Sequence, residues 1–139
     1  MLVMLKKTLA TALLLSLANL AIAQGTIKMG ALATLEGAFT VLGEDGMRGV
    51  KMALNEFNYS VGGKKIQLIT GSSDASPDSA IRAARKLVEQ DGVQVLVGPL
   101  SGSEGLAIKD YAKTKPNVTF VNGTSAAQDP TLRKPAGNF

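Results

Sequence analysis

The sequence predicts an α/β domain, an open parallel sheet with helices on both faces. Three observations carry that class. Short apolar runs alternate with segments whose apolar residues recur at helical spacing. Val93–Val97 has the β-branched character of a parallel strand buried on both faces. Strand and helix segments follow one another in strict alternation, which implies right-handed βαβ units.

Residues 1–23 precede this domain and read as a secretory signal peptide. Lys6 and Lys7 form the basic start, Thr8 to Leu20 the apolar centre, and Ala21-Ile22-Ala23 the small-residue cleavage site. The apolar centre is shorter than the roughly 20 residues that span a bilayer. The chain has no cysteine, so the expected mature end at Gln24 carries no lipid, and no stable membrane insertion is expected after cleavage.

In the domain over 24–139, Ile27–Ala33 is the first strand and Thr34–Leu42 a loop. Gly43–Asn58 is the first helix, because Met47, Val50, Ala53, Leu54 and Phe57 share one face. Glu44 and Asp45 are expected in its first turn, where the helix dipole favours negative charge. Gly43, Gly46 and Gly49 predict close packing on the sheet. Gly62-Gly63 is a turn, and Lys65–Thr70 a second strand. Ser76-Pro77-Asp78 combines a cap, a first-position proline and a first-turn acid, and opens a helix running to about Gln90. Ala80, Ala84, Leu87 and Val88 face inward, and Asp91-Gly92 ends it. Val93–Val97 is the third strand, Ser103–Lys113 the third helix and Asn117–Val121 the fourth strand. The stop at Lys134–Phe139 reads as a point inside a longer chain.

Composition narrows the function. The whole sequence carries 15 basic and 11 acidic residues; without Lys6 and Lys7 the balance is 13 to 11. That surplus is too small for a nucleic-acid footprint, and no basic stripe with aromatics accompanies it. The absence of histidine and cysteine removes the commonest general base, thiol nucleophile and metal ligands. A carboxylate- or lysine-based enzyme stays open on these grounds; no metal or cofactor is expected.

Ligands of open α/β sheets bind beyond the carboxyl ends of the strands. Three segments converge there: Leu35–Gly43, Gly98–Gly105 and Asn122–Ala127. The second leads directly into a helix, whose free N–H groups, with serine hydroxyls beside them, suit a carboxylate or another anion. The plainer alternatives are that Ser103 caps the helix and that Thr124-Ser125 is an ordinary turn. Glu104 is expected to serve the dipole and face solvent.

The ordered sum of the short motifs resembles a family. The motifs are Lys28-Met29-Gly30-Ala31-Leu32, Glu36-Gly37, Leu42-Gly43, the Gly46–Asn58 helix, Gly62-Gly63-Lys64-Lys65-Ile66, Asp74 with Pro77, Ala83–Val88 and Val97-Gly98-Pro99. Together they are similar to the N-terminal part of a type I periplasmic solute-binding protein of the branched-chain amino acid group, which serves ABC importers. The resemblance implies a non-catalytic two-lobed protein, of which this chain holds most of the first lobe, closing on an amino acid or similar small carboxylate. It also implies a periplasmic location and ABC permease subunits as partners. By position, the carboxylate falls to Ser101, Gly102 and Ser103 and to Thr124, Ser125 and Ala126. Gly102 stands where the leucine binder has a serine, and Leu42 where it has a tyrosine over the ligand, so the pocket is expected to be more apolar on that side. A ligand-sensing domain of a receptor or regulator and an exported α/β enzyme are the alternative readings.

Overall fold

The computed structural model describes residues 25–128 and 133–139. The signal-peptide reading of residues 1–23, and Gln24 as mature end, lie outside the described residues. Strand β1 (Thr26–Thr34) leads through a 3₁₀ turn at Gly37–Phe39 into helix α1 (Thr40–Glu56). A short strand β2 (Ser60–Val61) turns into β3 (Lys64–Ser73). Helix α2 (Pro77–Arg85) continues as a π-helical turn over Lys86–Gln90; then follow β4 (Val95–Val97), α3 (Gly102–Ala112) and β5 (Thr119–Val121).

The sheet order is β2-β3-β1-β4-β5. β1 pairs in parallel with β3 and β4, β4 in parallel with β5, and only β2 runs antiparallel, to β3. The parallel α/β class predicted from the sequence is therefore present, with one small antiparallel addition. β2 was not expected: two residues carry no legible period, and the hairpin is made by Gly62 and Gly63, both at positive φ (55° and 75°).

Alternation along β1 assigns the two faces. Leu32 points to the side where Leu87, Leu96, Ile108, Tyr111 and Phe120 form the larger core. Ala31 and Ala33 point to the other side, against Met47 of α1. Helices thus cover both faces, with α2 and α3 on one and α1 on the other.

Several boundaries differ from expectation. α1 begins at Thr40, three residues before Gly43, so Glu44 and Asp45 lie beyond its first turn and its first turn holds no acid. Of the three spaced glycines, only Gly43 packs tightly: a Cβ there would lie 1.7 Å from the Thr34 carbonyl oxygen, whereas Gly46 and Gly49 face open space. β3 extends to Ser73 because it pairs with β1 along its whole length. Val93 falls outside β4; its N–H donates to the Leu87 carbonyl at 3.0 Å and closes the π turn. Ser76 caps α2 as predicted, accepting from the Ser79 N–H.

Candidate functional site

Strand order reverses between β1 and β4: the chain passes from β1 to β3 on one side and then back past β1 to β4 on the other. A groove of about 120 Å³ opens at the carboxyl ends of these strands. One wall is α1, through Leu42, Gly43, Gly46, Met47 and Val50; the floor is Ala31–Ala33 and Val97; the far rim is Gly98, Pro99, Leu100, Gly123 and Thr124. The topology puts it where open α/β sheets take ligands. Its walls are aliphatic, and Thr124 is the sole hydroxyl residue along it.

Gly98 makes the rim possible. It stands at φ 123°, and a Cβ on it would come 2.2 Å from the Leu32 carbonyl oxygen. Glycine therefore lets the chain leave β4 across the end of β1 and swing Pro99–Ser101 into place.

The start of α3 lies one residue past Leu100. Ser101 is its N-cap: its Oγ accepts from the Glu104 N–H, and the Glu104 carboxylate accepts from the Ser101 N–H at 2.9 Å, a complete capping box. Ser101 Oγ also donates to the Ala75 carbonyl at 3.1 Å. The cap is thus Ser101 and not Ser103. Ser103 sits exposed in the first turn with its Oγ 3.2 Å from that of Ser101. Glu104 and Gly105 N–H groups are satisfied by Ser101, whereas those of Gly102 and Ser103 take no partner among the described residues. Two orphan donors at a helix N-terminus remain for an anion.

Glu104 does not face solvent as expected. It is fully buried and accepts from Ser73 Oγ at 2.5 Å. The Ser-x-x-Glu spacing of a capping box was the available signal.

The loop after β5 closes the rim. Thr124 donates its N–H to the Pro99 carbonyl at 3.2 Å and its Oγ1 lies 3.4 Å from the Leu100 carbonyl. Ala127 packs on Gly102, 3.4 Å from where a Cβ would stand. Ser125 is buried with its Oγ unpartnered among the described residues, and Ala126 is exposed. Of the predicted site residues, Leu42 and Thr124 line the groove. Ser101, Gly102 and Ser103 at the start of α3, and Ser125 and Ala126 in the loop after β5, stand beside it and do not line it. Gly46, which opens the α1 wall, was missed; no residue type signals an absent side chain.

Beside the Ser101 cap lies Asp74. Hydrogen bonds from Ser76, hydroxyl first and then backbone N–H, hold its carboxyl below the usual range. Among the described residues no cluster of three His, Cys, Asp or Glu side chains could hold a metal, and no helix is long and apolar enough to cross a membrane.

The periplasmic binding protein family matches residues 26–138. The Leu/Ile/Val-binding protein BraC3 of Rhizobium johnstonii is 31% identical over 129 residues, 91% of this chain and 35% of that protein. An ABC transporter substrate-binding protein from Sphaerobacter thermophilus superposes with a TM-score of 0.71 at 30% identity, over 76% of this chain and 28% of its own. A solute-binding protein of an ABC transporter from Rhodopseudomonas palustris, solved with 3,4-dihydroxybenzoic acid, gives a TM-score of 0.72 at 26% identity, over 78% of this chain and 30% of its own. The chain spans about a quarter to a third of the length of the curated relatives it matches. These relatives are named as binding proteins, the Sphaerobacter one as the substrate-binding protein of an ABC transporter. The matched span, the fold and the ordered motifs agree: this chain belongs to the periplasmic binding protein family.

Proposed function

We propose that the chain forms the first ligand-holding lobe of the substrate-binding component of an ABC importer, taking a small carboxylate with an apolar body. Export through the 1–23 signal peptide, a periplasmic location for the domain over 24–139 and delivery to ABC permease subunits belong to the same reading. The observation that carries it is the aliphatic groove whose rim runs, one residue past Leu100, into a helix start with two unused N–H groups. The Gly102 and Ser103 N–H groups receive the carboxylate, with hydroxyls of Ser103, Thr124 or Ser125 and the Ala126 backbone completing its shell, while Ser101 holds the helix start through its cap. Leu42 and the α1 wall take the apolar body.

The relatives support this chemistry. The Rhizobium protein is named for leucine, isoleucine and valine, and the Rhodopseudomonas protein holds a dihydroxybenzoic acid. Aliphatic amino acid and aromatic acid share a carboxylate and an apolar group.

Calorimetry on the full-length protein tests it with L-leucine, 3,4-dihydroxybenzoate and the corresponding amides. One acid should bind with a Kd on the order of 1 μM. Its amide should bind about 10-fold or more weaker, because a hydrogen bond to a charged group contributes about 1.5–3 kcal/mol. Equal binding of acid and amide would refute carboxylate capture, and conversion of either compound would favour the enzyme reading.

A further inference from the structure

Among the described residues, Glu104 is the only buried carboxylate, and ligand capture as proposed above does not use it directly. Its two oxygens join elements distant in sequence. Oε2 accepts from the Ser101 N–H at 2.9 Å, and Oε1 accepts from Ser73 Oγ at 2.5 Å. Ser73 in turn lies 3.4 Å from Thr34 Oγ1, and its carbonyl accepts from the N–H groups of Leu35 and Glu36, both at 3.1 Å. Thr34 is the residue on which Gly43 of α1 rests. One buried carboxylate therefore ties the start of α3 to the paired ends of β1 and β3, and through Thr34 to the start of α1.

Resting on the binding reading, we infer that Glu104 is a positioning residue for the ligand. It holds the Ser101–Ser103 segment in register with the α1 wall that carries Leu42, so that the carboxylate site and the apolar groove keep one spacing. A helix cap alone needs only the bond to Ser101. The bond to Ser73, at 2.5 Å and fully buried, reaches across to the sheet. Burying a carboxylate is costly unless its oxygens are satisfied, so this arrangement persists only while both partners stay in place.

The variants separate geometry from charge. Glu104→Gln keeps both bonds: the amide oxygen accepts from Ser101, the amide N–H donates to Ser73 Oγ, and the Ser73 hydroxyl turns toward Thr34. Glu104→Ala loses both. Ser73→Ala loses only the link to the sheet and leaves the cap, so it serves where Glu104→Ala fails to fold.

The experiment uses the full-length protein. Calorimetry with L-leucine and 3,4-dihydroxybenzoate is combined with amide hydrogen exchange in the absence of either. Ser73→Ala should raise the Kd of the bound probe about 10-fold, the loss of one charge-assisted bond's worth of alignment, at temperatures where the protein is fully folded. Exchange at Leu35, Glu36 and Ser101 should accelerate together while Leu96 and Ile108 stay protected. Glu104→Gln should remain within about 3-fold of wild type. A lowered Tm with unchanged Kd, or a Gln variant as damaged as Ala, overturns the inference. If wild type binds neither probe, the binding reading fails instead, and exchange decides the coupling. Joint loosening of both segments upholds it, and loosening of one alone refutes it.

Discussion

Hydrogen bonds from Ser76 depress the Asp74 carboxyl in the folded state. A depressed folded value means stability that is fully present above the unfolded value, about 4 for aspartate, and lost as pH falls through it toward the folded one. Melting curves between pH 3 and pH 6 should show Asp74→Asn less stable than wild type by a constant margin at the upper end, with the margin closing at the lower end. A margin independent of pH would show that the charge contributes nothing. The serines of the α3 start divide roles in a way that melting and binding measurements separate. Ser101→Ala removes a cap and should cost about 1 kcal/mol of stability. Ser103 is exposed and caps nothing, so Ser103→Ala should leave the ligand-free Tm unchanged and raise the Kd of the acid about 10-fold on loss of a charge-assisted bond. Equal weakening of acid and amide would remove Ser103 from the site. The cap was legible in Ser101-x-x-Glu104; the burial of Glu104 was not, because its second partner, Ser73, lies 31 residues away and no local pattern reports it.

Helix α1 shows how three similar residues acquire different duties from packing. Gly43, Gly46 and Gly49 are equally spaced, and spacing alone predicts contact for all three. The helix axis brings only the Gly43 end against the strand, where its Cα approaches the Thr34 backbone; Gly46 lines the groove and Gly49 faces outward. Replacing glycine by alanine inside a helix normally gains about 1 kcal/mol. Gly46→Ala should therefore raise Tm and, by narrowing the groove, weaken binding of the bulkier probe. Gly43→Ala should lose about 3 kcal/mol or more, since its methyl would meet a backbone oxygen that cannot rotate away. Denaturant midpoints of the two variants check both signs; equal stabilities would mean that α1 is not seated as described. Strand and helix order could be read from the sequence because apolar period and caps are local signals. The β2 hairpin strand, the early start of α1 at Thr40 and the π turn after α2 could not, because each is set by pairing or packing with residues remote in sequence.

At the scale of the molecule, the two-lobed reading makes the groove one wall of a site. Leu42 lines it with 53% of its surface exposed, and its chain neighbours Phe39 and Val41 are exposed as well, apolar surface of the kind a covering partner buries. A ligand resting on this wall alone keeps one side in water, where its charge-assisted bonds compete with solvent. Closure by a second lobe removes that competition and strengthens each polar contact. The chain by itself, over 24–139, should accordingly bind leucine or 3,4-dihydroxybenzoate with a Kd near the millimolar range, about −4 kcal/mol. The full-length protein should bind on the order of 1000-fold tighter, a further ~4 kcal/mol. Calorimetry on the two side by side measures that difference directly. The Glu104 network predicts its composition: closure should act on a carboxylate site already aligned within this lobe, so Ser73→Ala should weaken the weak binding of the isolated lobe by the same factor as that of the full-length protein. Micromolar affinity in the isolated chain would refute the two-lobed reading. A Ser73→Ala effect confined to the full-length protein would show that the alignment is made on closure and not before it.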